Sequence, residues 1–135
     1  MKSIILLMAL TLNTSIFAAD FLTRAQNNKI LLEIDNICGD TWCEGDFNFN
    51  FPELTCDDVT ATCTLSVYLF DGYNDTDGDP EYFMGKCEFT GITSYEQMIE
   101  QGPRWSHLNQ EFYENITDCI TELEDEARPV IFPNE

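Results

Sequence analysis

The spacing of hydrophobic positions changes twice along the chain, and each change marks a different kind of element. Between residues 46 and 51 the run DFNFNF alternates strictly, with Phe47, Phe49 and Phe51 on one side and Asp46, Asn48 and Asn50 on the other. A period of two is that of a half-buried strand with a wet outer face. TATCTLSVYLF (60–70) alternates again, setting Cys63, Leu65, Val67 and Leu69 opposite Thr62, Thr64 and Ser66. EYFMGKCEFTGI (81–92) follows, with Phe83, Cys87 and Phe89 on one side. Three strands joined by short polar connections predict an antiparallel meander.

Either side of these strands the period lengthens to three and four. Ile30, Ile34 and Ile37 form one apolar stripe of a helix that Asp20 can cap and that Gly39 can end with a left-handed residue. Asn27 and Asn28 weaken its first half, and a strand through KILLEI (29–34) is the alternative. After the strands, Thr93 and Ser94, followed three residues later by Glu96 and Gln97, supply two capping-box registers for a short helix through Met98 and Ile99, closed by Gly102-Pro103. A longer helix is expected from Ser106, as its N-cap, to about residue 126, carrying Leu108, Phe112, Ile116, Cys119, Ile120 and Leu123 on one stripe. That stripe needs an apolar surface, and the sheet offers one. The expected fold is therefore α+β, a three-stranded antiparallel meander packed against helices in the order α-β-β-β-α-α.

The six cysteines sharpen this picture. An even count in a small exported chain reads as a disulfide framework. A zinc site needs paired ligands at short spacing, whereas the chain has no C-x-x-C and a single histidine, His107. Cys87 lies on the apolar sheet face and Cys119 on the apolar helix stripe, so helix-on-sheet packing brings them together. Cys56 and Cys63 flank the turn between the first two strands and pair across it. Cys38 and Cys43 remain, joining the end of the first helix to the entry of the sheet.

Export is itself an expectation from the first 19 residues. Lys2, an apolar stretch from Ile4 to Leu12 and the small Ala18 and Ala19 have the layout of a secretory leader, and the stretch is too short to span a bilayer. Residues 20–135 are then one small domain, secreted or periplasmic, with no membrane insertion after cleavage.

Charge narrows the choice of partners. The 135-residue chain has 25 Asp and Glu against 6 Lys and Arg, a formal net charge of −19, and Lys2 is one of those six. Such a chain repels phosphate backbones and anionic lipid, which argues against nucleic-acid binding and favours cationic partners or metal cations.

Four places carry candidate chemistry. The acidic stretch DGYNDTDGDPE (71–81) sits between two strands; aligned to an EF-hand it puts Tyr73 and Met84 at two ligand positions, so only an irregular calcium site built on Asp71, Asp75, Asp77 and Asp79 survives, against the plainer reading of a solvated connection. CGDTWCEGD (38–46) places its first cysteine at a helix C-terminus, the wrong electrostatic end for a reactive thiol, which leaves a staple beside Trp42, either core or an exposed anchor. In GPRWSH (102–107) adjacent Ser106 and His107 do not make a catalytic pair, but Arg104 and Trp105 are residue types that anchor interfaces. Asn74-Asp75-Thr76 and Asn115-Ile116-Thr117 match the N-glycosylation acceptor pattern.

No nucleophile, base and orienter converge in the sequence, and carboxylate pairs of the glycosidase kind can be drawn at will from 25 acids, so none counts. The function expected is non-catalytic binding, as an inhibitor or interaction module for a cationic partner, with a calcium-dependent structural or binding role as the alternative. A calcium site in the 71–81 stretch predicts that calcium raises the melting temperature at constant ionic strength and that Asp75→Asn with Asp77→Asn removes the rise. A melting curve indifferent to calcium eliminates that alternative.

Overall fold

A computed structural model describes residues 20–43, 45–72, 81–100 and 107–135. The expected leader, residues 1–19, lies outside them. The order of elements is α1 (Arg24–Asp40), β1 (Phe47–Asp57), β2 (Thr62–Asp71), β3 (Tyr82–Thr90), a 3₁₀ turn (Tyr95–Gln97) and α2 (Gln110–Ile131). The strands form one antiparallel sheet in the order β1-β2-β3, which is the expected meander.

Helix α1 begins where Thr23 and Gln26 cap each other: the Thr23 hydroxyl accepts from the Gln26 amide at 3.1 Å, and the Gln26 side chain accepts from the Thr23 amide at 3.0 Å. Asp20, the expected cap, instead accepts from the Leu22 amide in a local turn. Asn27 does not weaken the helix as its propensity suggests, because its side-chain amide donates to the Leu54 carbonyl of β1. Gly39 stays inside the last turn, and the stop falls at Thr41, whose hydroxyl donates to the Ile37 carbonyl at 2.7 Å. Ile30, Ile34 and Ile37 are all buried, so the stripe is helical and the strand alternative for KILLEI is excluded.

Strand β1 runs six residues past DFNFNF, through an irregularity in its pairing between Asn50 and Glu53. The bulge has a clear purpose. Phe47 and Phe51 are buried on odd positions, while Leu54 and Cys56 are buried on even ones, and one extra residue at Pro52 switches the parity that keeps both sets on the same face. Proline donates no ladder hydrogen bond and is tolerated on an edge strand such as β1. In β2, Cys63, Leu65, Val67 and Leu69 point inward without interruption.

Two helical expectations need correction. The short helix after β3 is a single 3₁₀ turn. Gln97 does cap backward, accepting from the amides of Thr93 and Ser94, but Met98 and Ile99 then turn into the core and Ile99 pairs with Leu108 as an antiparallel bridge. The amide of Glu100 donates to the His107 carbonyl at 2.7 Å, and that of Asn109 to the Met98 carbonyl at 2.8 Å. Helix α2 consequently starts later than Ser106, at Asn109, whose side-chain oxygen accepts from the amides of Glu111 and Phe112. It also ends later. Ala127 and Ile131 extend the Leu123 row at four-residue steps, and burying them carries the helix through Pro129.

The buried residues form one cluster between the inner sheet face and the two helices. Gly85, on the inner face of β3, lets α2 come close: a Cβ at that position would run into the side chain of Leu123. Arg128 closes the far end, its guanidinium 3.1 Å from the Asp46 carboxylate, 3.6 Å from that of Glu135 and over the rings of Phe47 and Phe132.

All three disulfides form as expected. Cys38–Cys43 staples the end of α1, with Cα atoms 4.9 Å apart; Cys56–Cys63 crosses the β1–β2 hairpin at 4.0 Å; and Cys87–Cys119 ties β3 to α2 at 5.9 Å. All six cysteines are thereby paired. Such bonds fit an oxidising, extracytoplasmic environment. Among the described residues no helix is long and apolar enough to cross a membrane.

Gly85→Ala should lower stability by about 1–3 kcal/mol through overpacking against Leu123. Combined with Leu123→Val it should lose less than the sum of the two single changes in a denaturant-unfolding double-mutant cycle. Additive losses would show that α2 does not depend on this close approach.

Candidate functional site

Two of the surfaces turned away from the core, one on α2 and one on the sheet, have a distinct composition. Along α2, the positions facing solvent include Glu114, Asp118, Glu122 and Glu126, each exposed and each four residues from the next. At 1.5 Å per residue this row of carboxylates is about 18 Å long. Like charges at this spacing repel and cost a helix a few tenths of a kcal/mol per pair. Gln110 donates to Glu114 at 2.9 Å, but none of the four forms an ion pair with a described residue. The only basic residue of α2, Arg128, is turned to Asp46 and Glu135. Beside the row, an open groove of about 280 Å³ between α2 and β3 is lined by Glu88, Asp118 and Glu122 with Thr90, Asn115 and the Cys119 side of the disulfide. The row and groove together present carboxylates with no described cation among them.

The outer sheet face is different in character. Its register places Asn48, Phe70 and Tyr82 in one row across the strands and Asn50, Tyr68 and Met84 in the next. These six positions carry no charge, although nearly a fifth of the chain is acidic. Tyr82 is 59% exposed and Met84 56%, so neither is covered by a described residue as a core side chain would be. The rings of Tyr68, Phe70 and Tyr82 form a triangle with centroids 5.9, 6.2 and 6.4 Å apart, inclined to one another by 44° to 75°. The following row, Glu53, Ser66 and Lys86, returns to the charged and polar composition of the rest of the surface. Farther along, Thr55, Thr60, Thr62 and Thr64, with Asp20 and Asp57, line a shallow hollow of about 410 Å³ near the β1–β2 turn. Apart from Cys56 its lining is hydroxyls and carboxylates, with no imidazole or amine.

Of the residues singled out in the sequence, Trp42 falls in the core. It is buried, its indole N–H donates to the Thr117 hydroxyl at 2.8 Å, and its ring stacks on Tyr113 at 5.3 Å. Through these contacts it fastens the end of α1 to α2. Asp71 ends β2, half-buried. Asp75, Asp77, Asp79, Arg104 and Trp105 lie outside the described residues, as do Ser106 and the first glycosylation triplet. Asn115 of the second triplet is exposed on α2. Among the described residues no group of three or more His, Cys, Asp or Glu side chains is gathered to hold a metal ion. His107 is exposed and lines a small open hollow with Glu33, Asn36 and Asp40 of α1, with no hydroxyl nucleophile among the lining residues.

The aromatic triangle escaped the sequence reading because Val67, Tyr68, Leu69 and Phe70 form a continuous apolar run that masks the alternation. The signal was present in the outward parity shared with Thr62, Thr64 and Ser66. The α2 row is legible in the sequence as acids at i, i+4 spacing, within a chain that is acidic throughout.

No family model, no curated protein and no solved structure matches the chain.

One carboxyl has a perturbed acidity. Burial raises the pKa of Glu124 above its ordinary 4.5; Arg128 opposes the rise, and Asp125 and Asp46 add to it. The folded state therefore holds this proton more tightly than the unfolded chain, and stability falls as pH rises from 4.5 through the raised value. Glu124→Gln, lacking that ionisation, should melt at a higher temperature than wild type at pH 7 and gain less on acidification towards pH 4.5. Coincident pH profiles for the two proteins would show that Glu124 does not contribute.

Proposed function

We propose that the protein is an exported, disulfide-stapled binding protein that acts without catalysis on a cationic macromolecule, as an inhibitor or interaction module. The observation that carries this reading is the carboxylate row Glu114, Asp118, Glu122 and Glu126 with the acidic groove beside it. A helix that aligns like charges loses stability in isolation and regains it when a polycation neutralises them. The net charge of −19 adds a long-range field that speeds encounter with a basic partner. Residues 1–19 supply the secretory leader and the disulfides fit the compartment it implies.

Isothermal titration of the oxidised protein with a hexalysine peptide at rising salt tests it. The expected result is binding that weakens steeply with salt, and a loss of about tenfold in affinity together with a shallower salt slope when the four carboxylates are replaced by Gln and Asn. Salt-independent binding, an undiminished affinity in the variant or no binding at all would overturn the proposal.

A further inference from the structure

We infer that the triangle of Tyr68, Phe70 and Tyr82 on the outer sheet face is a seat for an arginine side chain of the basic partner, an inference that rests on the cationic-partner reading above. Three observations carry it. The ring centroids are 5.9 to 6.4 Å apart, so a cation resting above the triangle lies within ≈ 6 Å of all three at once. The rings are inclined to one another by 44° to 75°, and Met84, the exposed register partner of Tyr68, lies beside them on the same face. Asn48 and Asn50, the remaining members of the two rows, offer amide oxygens to N–H donors along the rim.

The charge pattern favours this occupant over others. The block of six is uncharged within a chain of net charge −19, so the protein as a whole attracts a cation while the seat itself holds no carboxylate to bind it tightly hydrated. That combination suits a guanidinium, which is planar, weakly hydrated and stacks on aromatic faces, better than the compact, strongly hydrated ammonium of lysine. A second copy of the same chain brings its own −19 and meets repulsion at this face. The carboxylate row of α2 and the aromatic seat thus contribute differently: the row supplies charge, and the seat adds ring faces on which a guanidinium stacks.

The test compares hexa-arginine with hexalysine at equal salt, against the oxidised wild-type protein and against Tyr68→Leu with Tyr82→Leu, which keeps apolar area and removes the ring faces. Wild type should bind hexa-arginine about fivefold tighter than hexalysine, and the double variant should lose most of that preference with its hexalysine affinity and salt slope unchanged. Tyr82→Thr, a single change at an exposed strand position, gives the same comparison should the double variant melt early. Equal affinities in wild type, or a preference for arginine undiminished in both variants, would overturn the seat while leaving the cationic-partner reading intact. A concentration-dependent dimer in sedimentation that the leucine variant abolishes would overturn it in favour of a second copy. Failure of either peptide to bind overturns both readings.

Discussion

The close contact between α2 and the inner face of β3 is the constraint on which the remaining structure depends. Phe112, Ile116, Ile120, Leu123, Ala127 and Ile131 are buried in the core, and Gly85 leaves out a Cβ that would run into Leu123. Cys87–Cys119 locks the same contact covalently, and the ring of Phe112 packs edge-on to Phe89 at 5.0 Å. With α2 fixed, the sheet is used on one side only. Its outer face and the outer face of α2 are both left to solvent, and these two surfaces carry the side chains that read as functional.

The chain resolves a conflict between charge and compactness by segregation. Its described carboxylates stand outside the core, on the helices, on strand positions such as Glu53 and Glu88 and at the β1–β2 turn, and Arg128 sits where Asp46 and Glu135 meet two aromatic rings. Glu124 lies near that point and is the carboxyl that feels burial. The repulsion along the outer row of α2 falls on a helix held down by packing and a disulfide and therefore able to carry it.

Much of the fold was legible in the sequence because it rests on period and parity. Phe47, Cys63, Leu65 and Phe89 announce the sheet face, and the three cysteine pairs follow once helix-on-sheet packing is assumed. What was not legible is where several local signals compete. Asp20 and Thr23 can both cap α1, and the reciprocal bond to Gln26 decides for Thr23. Ser106 and Asn109 compete in the same way, and the bridge between Ile99 and Leu108 decides for Asn109 by claiming the preceding residues. The extra residue at Pro52 is a tertiary demand: without it Leu54 and Cys56 would face water. Pro129 reads as a stop, yet the burial of Ile131 two residues later outweighs it. The candidate surfaces were the least legible part, since an outward-facing aromatic cannot be told from an inward-facing one until strand parity is fixed on both neighbours.

The three disulfides differ in a way that bears on how the chain matures. Cys38–Cys43 and Cys56–Cys63 join cysteines 5 and 7 positions apart, one at the end of α1 and the other across the β1–β2 hairpin, whereas Cys87–Cys119 joins cysteines 32 positions apart, one in β3 and one in α2. Local loop closure carries a small entropic penalty and needs no tertiary structure. The third bond brings together sulfurs that only the assembled helix and sheet hold side by side. Its formation therefore reports completion of the fold, and a chain lacking it is chemically distinguishable, by its free thiols, from one that has finished folding.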